Sequence, residues 1–208
     1  MTDTKEKILM TALRLFARDG YEAVSVSTIA GELGMTKGAL YKHYKNKRDI
    51  FDSIVERMYQ LDAERSRQYE VPEKEYEVTS KAYENVSVDS IKKFAVAQFT
   101  FWTEDDFASN FRKMLTLEQY RNAEMAELYS NCITLGPVAY MEDIFREMIS
   151  KGKLKKADPR QLALEFYAPM YLLIYASDTS KDKGKLSELL NTHIQSFFHN
   201  NIIEGDEK

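Results

Sequence analysis

The chain has 208 residues, enough to bury a hydrophobic core without covalent staples, and its one cysteine, Cys132, excludes an internal disulfide framework. Apolar residues make up 44% and charged residues 30%, a globular balance, while eight Gly and four Pro favour helices over a turn-rich all-β fold. The chain has no long apolar run and no basic-then-apolar leader, so it reads as cytosolic, with neither membrane span nor secretion signal.

A net charge of -4 argues against a nucleic-acid binder, whose basic footprint should show. The two ends differ, however. The first fifty residues hold nine Lys/Arg against six Asp/Glu, and the rest hold twenty against twenty-seven. A small basic module on a larger acidic body fits that polarity.

Taken in chain order, Thr2 and Asp3 look like a cap, and Ile8, Ala12, Leu15 and Phe16 follow the helical period up to Gly20. Ser25 can cap a short second helix that turns Val26, Ile29, Ala30 and Leu33 inward, and Gly34 supplies the positive φ of a sharp turn. Thr36 can cap a third helix in which Leu40 and Tyr44 share the buried side. A longer helix starts near Lys47 and carries Ile50, Phe51, Ile54, Val55, Met58 and Leu61. Pro72 and the charged segment 70–87 read as a connection with room for a helical turn or two.

Beyond Ser87 the pattern stays helical. Asp89 or Ser90 opens a stripe of Ile91, Phe94, Ala95, Gln98, Phe99 and Trp102, and another helix covers about 105–118. A long one over about 122–151 is interrupted at Gly136-Pro137, because proline lacks the amide. Asp158-Pro159 starts a helix that is apolar almost all round from Leu162 to Ala176, and a helix apolar on every side must be buried on every side. A last helix over about 185–201 buries Leu186, Leu189, Leu190, Ile194 and Phe197.

The two short helices joined through Gly34 make a helix-turn-helix, whose second helix enters a major groove N-terminus first. At about 100° per residue, with Leu40 and Tyr44 inward, Gly38, Tyr41, Lys42 and Lys45 point outward and Lys37 and His43 flank them. Lysines and a hydroxyl suit a phosphate-lined groove, and Gly38, lacking a Cβ, lets backbone approach phosphate closely.

Over about residues 4–55 the sequence resembles the TetR family of bacterial transcription regulators. The first helix followed by DGY, the S-x-x-x-IA-x-x-x-G run from Ser25 to Gly34, and the TKGALYKHYKNK segment match that family in order and spacing. Tyr44 stands where phenylalanine is common. The remaining residues match in architecture and length alone. The resemblance implies that Ser25, Ser27, Thr36, Tyr41, His43 and Lys47 hold phosphates, while Lys37 and Lys42, with the Gly38 backbone, approach base edges. Phosphate contacts set register and base contacts set sequence, and lysine donates to guanine O6 and N7.

Elsewhere the plain readings prevail. A lysine face taken alone is a solvated face. His193 and His199 lie six apart, not the three or four that bring ligands together on a helix, so no metal is expected. Cys132 reads as an inert buried thiol, no phosphate-binding GxxxxGK loop occurs, and no cofactor is expected. The aromatics between 94 and 111 are mostly core material. Gln98 interrupts its apolar stripe and needs a partner, protein or ligand. Pro169 frees the Glu165 carbonyl and should kink its helix. Glu165 is the one charge among the apolar residues 162–176, suited either to an ion pair at a subunit contact or to a ligand. Phe94, Gln98, Trp102, Glu165 and Met170 are the candidate effector contacts. Phe166, Leu173, Leu190, Ile194 and Phe197 are the candidate dimer contacts, since the last two helices carry more apolar surface than one subunit can cover.

The expected fold is all-α, with a helix-turn-helix domain over 1–46 and a helical ligand-binding and dimerisation domain over 47–208. The expected function is a homodimeric, ligand-responsive regulator that binds a palindromic duplex DNA operator and is released by a small molecule. It is not an enzyme and has no membrane association. The rival readings are a DNA-binding regulator governed by a protein partner, and a helical enzyme or carrier.

Overall fold

The computed structural model describes residues 4–73 and 86–203. The anticipated cap at Thr2 and Asp3, and the helical turns anticipated within 74–85, lie outside the described residues. The described residues form α1 (Thr4–Asp19), α2 (Val26–Glu32), α3 (Lys37–Leu40), α4 (Lys47–Gln68), α5 (Val88–Glu104), α6 (Asp106–Glu118), α7 (Ala123–Ile133), α8 (Leu135–Ser150), α9 (Pro159–Ala176) and α10 (Lys183–Asn201). An isolated antiparallel bridge joins Leu154 to Ile202. The all-α expectation therefore stands. The chain forms two compact units, one made of the chain up to Leu61 with Glu104–Tyr129, the other of Asp62–Thr103 with the chain from Ser130 on.

In the first unit α1 packs on α6 and α2 on α3. The α1 stripe predicted from periodicity is buried, with Ile8, Ala12 and Phe16 fully so, and it shares the interior with Ile29, Leu40, Ile50, Phe51 and Ile54. Helix starts follow local chemistry. Asp105 caps α6 by accepting from the Ala108 amide at 2.9 Å. Before α4, Asn46 accepts from the Asp49 amide at 2.9 Å, and Asp49 accepts from the Lys45 amide at 2.8 Å. This reciprocal pair fixes the start of α4 at Lys47.

In the second unit α9 packs on α8 and α10. Its centre is an aromatic cluster in which Phe145, Phe166, Phe197 and Phe198 meet with centroid separations of 5.0–6.4 Å. Asp158 accepts from the amides of Arg160 and Gln161 and starts α9 at Pro159, as expected. Pro169 lies inside α9, which continues to Ala176.

The break expected at Gly136-Pro137 falls at Thr134, two residues earlier than Gly136. Proline is tolerated in a first turn, where its missing amide has no partner in any case, so α8 restarts just ahead of Pro137. Tyr167 donates its hydroxyl to the Ile133 carbonyl at 2.6 Å, satisfying the end of α7. Burial pushes that phenol above its ordinary pKa and keeps the donor protonated. Gly136 permits the close passage at the break, because a Cβ there would overlap the Asn131 carbonyl. Gly136→Ala is expected to lower stability by about 1–3 kcal/mol, read as a lower urea midpoint with an unchanged slope. An unchanged midpoint would show that the break relaxes freely.

Candidate nucleic-acid interface

The turn between α2 and α3 is held from within the chain. Gly34 takes φ +63°, and the Met35 amide donates to the Ala30 carbonyl at 3.0 Å. Ser25 caps α2 through the Thr28 amide at 3.0 Å, and Thr36 caps α3 through the Ala39 amide at 3.1 Å. Each cap uses the hydroxyl oxygen as acceptor; the Thr36 proton is left to donate elsewhere, while the Ser25 hydroxyl shares a 2.9 Å hydrogen bond with that of Thr28. Leu40 and Tyr44 are buried, as their spacing requires. The regular part of the third helix is short, ending at Leu40. Tight turns continue it to Tyr44, whose amide still donates to the Leu40 carbonyl at 3.2 Å.

What remains outward is a polar, cationic surface. Ser25, Ser27, Thr36, Lys37, Gly38, Tyr41 and Lys42 are all exposed, as is Lys45. Among the described residues no carboxylate pairs with Lys37, Lys42 or Lys45. The Lys37 ammonium lies 5.7 Å from the centroid of the Tyr41 ring, which is 44% exposed. A Cβ at Gly38 would come no nearer than 4.0 Å to any other side chain. The fold itself therefore has room for alanine there, although glycine inside a helix is about 0.5–1 kcal/mol less stable.

Two expected phosphate contacts are placed differently. His43 is half-buried. Lys47 points at the corner after α1, where its Nζ donates to the Tyr21 carbonyl at 2.8 Å, stands 4.2 Å from the Tyr21 centroid and is 3.8 Å from Glu22 Oε2. The same corner is held from the other side. Glu118, buried at the end of α6, accepts from the Tyr21 amide at 2.9 Å, and its Oε1 would stand 2.7 Å from any Cβ at Gly20, whose φ is +89°. Sequence reasoning missed Glu118, since one acid ending an amphipathic helix looks like a solvated charge. It missed the inward turn of Lys47 for the same reason. Arg48, next along, donates two bonds to Glu124 and one to Asp52, which holds the Glu124 carboxyl below its usual range.

The body residues separate. Phe94, Trp102 and Met170 are buried, and Phe94 packs against the Tyr69 and Tyr140 rings. Gln98 has protein partners, accepting from Arg65 at 3.2 Å and donating to Asp62 at 3.1 Å. Glu165 is exposed and accepts from Gln161 at 3.2 Å. Phe166, Leu190, Ile194 and Phe197 are buried within their own unit, and Leu173 is half-buried. The outward side of α9 and α10 instead carries Leu164, Leu172 and Leu189, at 40%, 66% and 51% exposure. On α9, apolar all round, no periodic signal separates the inner side from the outer one, and on α10 Leu189, expected to be buried with Leu190, Ile194 and Phe197, faces outward instead. Cys132, expected buried, is half-buried. Among the described residues no group of His, Cys, Asp and Glu could hold a metal ion, and no helix is long and apolar enough to cross a membrane.

Residues 8–54, which contain the helix-turn-helix, match the model for bacterial regulatory proteins of the tetR family. This segment belongs to the tetR family. An uncharacterized HTH-type regulator of Bacillus subtilis, YerO, is 43% identical over 56 residues, and AcrR of Shigella flexneri is 44% identical over 54. Those matches span 27% and 26% of this chain, and 19% and 25% of the two relatives. Likeness of fold extends much further. SmeT, the repressor of the Stenotrophomonas maltophilia multidrug efflux pump SmeDEF, matches with a TM-score of 0.65 at 20% identity over 98% of this chain and 93% of its own. FadR of Bacillus halodurans, a fatty acid degradation regulator, matches at 0.66 and 19% over 100% and 98%. At such identities the likeness is one of fold.

The corner beneath the tetR-family helices yields a test. Lys47→Met removes a charged donor from the buried Tyr21 carbonyl and is expected to lower stability by about 1–3 kcal/mol, measured by urea unfolding. Wild-type stability in that variant would return Lys47 to the list of surface cations.

Proposed function

We propose that this chain is a homodimeric transcriptional regulator that binds a palindromic duplex operator through α3 and releases it when a small molecule occupies the second unit. Its action is then repression relieved by an effector, with no catalytic step. The observation that carries the reading is Gly38. An exposed glycine between Lys37 and the Tyr41-Lys42 pair lowers helix stability and fills no need of the fold, so its use lies in what approaches from outside. Exposed lysines beside it, and the Thr36 cap hydroxyl with a proton to donate, suit the phosphates and base edges of a major groove. SmeT, the repressor of an efflux pump, has also been solved bound to triclosan, a precedent for effector binding in this fold.

Dimerisation follows from two-fold operators, which need two-fold proteins. The outward leucines of α9 and α10 supply the apolar surface for it, in place of the buried set. Release requires the effector to favour a packing of the second unit that the operator disfavours. A coupling of about 1–3 kcal/mol would lower operator affinity some five- to 150-fold, and the operator would weaken the effector equally.

Two variants test the reading. Gly38→Ala is expected to raise stability by about 0.5–1 kcal/mol while weakening binding to duplexes selected from genomic fragments. Unchanged DNA affinity would remove close backbone approach. Leu189→Glu should yield folded monomers by sedimentation, with poor operator binding, because an unpaired carboxylate in an apolar contact is unfavourable by several kcal/mol. An undisturbed dimer would place the interface elsewhere.

A further inference from the structure

The second unit carries an open groove of about 630 Å³ formed by the last turns of α4, by α5 and by α10, a volume suited to an organic ligand. Three cations reach it: Arg65 from α4, and Lys92 and Lys93 from α5. Among the described residues no acidic side chain lines it. Its apolar surface comes from Val96, Phe101 and Ile194.

Arg65 is held in place rather than waving in solvent. Its Nε donates to Gln98 Oε1 at 3.2 Å, its Nη2 donates to Asp62 at 3.0 Å, and its guanidinium carbon lies 3.3 Å from the Phe101 centroid. The side chain is 12% exposed. Lys93 pairs with Asp89 at 2.6 Å. Lys92 lies 5.6 Å from the Phe198 centroid, and no carboxylate among the described residues pairs with it. Asp62 pairs with Arg65, and Asp89 with Glu70 acts on Lys93, all from outside the lining, so the groove surface itself presents Arg65, Lys92 and Lys93 beside an apolar wall.

That combination discriminates among guests. A cation would be repelled, an inorganic anion would leave the apolar wall wet, and a neutral hydrocarbon would make no use of Arg65 or Lys92. We infer that the groove binds an amphipathic organic anion, its carboxylate or sulfonate against Arg65 and Lys92 and its apolar body along Val96, Phe101 and Ile194. The assignment deepens the effector reading above and rests on it for the consequence of binding. Dimerisation through Leu189 leaves the groove accessible, since Asn191, which lines it, lies about 200° around α10 from Leu189. Gln98, selected from the sequence as an effector contact, becomes a positioning residue that orients Arg65.

The test uses the full chain with 8-anilinonaphthalene-1-sulfonate, its neutral analogue N-phenyl-1-naphthylamine, and 1-naphthoate as competitor, all read by fluorescence. The sulfonate should bind and be displaced by 1-naphthoate but not by 1-naphthylmethanol. Arg65→Gln should weaken it about tenfold or more, and Ala97→Trp, which fills the groove, should abolish it. Lys92→Gln, which removes the charge of a half-buried side chain while keeping it polar, should weaken the sulfonate while leaving the neutral amine unaffected. Absent sulfonate binding, equal affinity across the variants, or equal loss of the neutral amine in Lys92→Gln would overturn the assignment. Parallel titrations with selected duplex DNA separate the two readings. If duplex affinity is unchanged at saturating 1-naphthoate, the effector role of the groove is overturned. If the chain binds no duplex at all, the regulatory reading fails while the groove measurements are unaffected.

Discussion

The corner at Gly20-Tyr21 is the constraint on which the first unit depends. Three helices end or begin there, and each contributes one element. The α1 helix leads into Gly20 with a left-handed backbone, α6 supplies the buried Glu118 carboxylate to the Tyr21 amide, and α4 supplies the Lys47 ammonium to the Tyr21 carbonyl. The Tyr21 ring fills the space between, against Phe16 at 5.0 Å and Phe51 at 5.3 Å. Both backbone groups of one buried residue are thus paired with charged side chains, which strengthens each bond and makes loss of either partner expensive. Because α2 and α3 follow directly from this corner and α4 returns to it, the orientation of the proposed reading helix is set here.

Much of the fold was legible because it follows from short-range chemistry. The caps at Ser25, Thr36 and Asp158, the turn at Gly34 and the inward pair Leu40 and Tyr44 each rest on a few neighbouring residues. The candidate interface was legible for the same reason, since an outward face on a short helix is fixed by its inward one. Long-range pairing was not legible. Glu118 and Tyr21 are 97 positions apart, and nothing local tells a buried carboxylate from a solvated one. The break at Thr134 moved because the proline signal marks a first turn as well as an interruption. On α9 apolar residues occur all round, so the inner and outer sides differ only in what packs against them.

The second unit divides its apolar residues between two uses. Phe145, Phe166, Phe197 and Phe198 fill its centre, while Leu164, Leu172 and Leu189 remain outward, where a second copy of the chain is proposed to cover them. The cationic groove lies on another flank of α10. Helix α4 contributes to both units, its first turn carrying Lys47 and its last turns Arg65.

The central claim is that the exposed face of α3 meets duplex DNA. A photo-crosslinking amino acid in place of Tyr41, irradiated with duplexes selected from genomic fragments, tests it most directly, with the same substitution at exposed Leu135 as reference. The account predicts salt-sensitive crosslinks from position 41 and none from position 135. Crosslinks from 135 at equal yield, or none from 41 to a duplex that the protein binds, would contradict it.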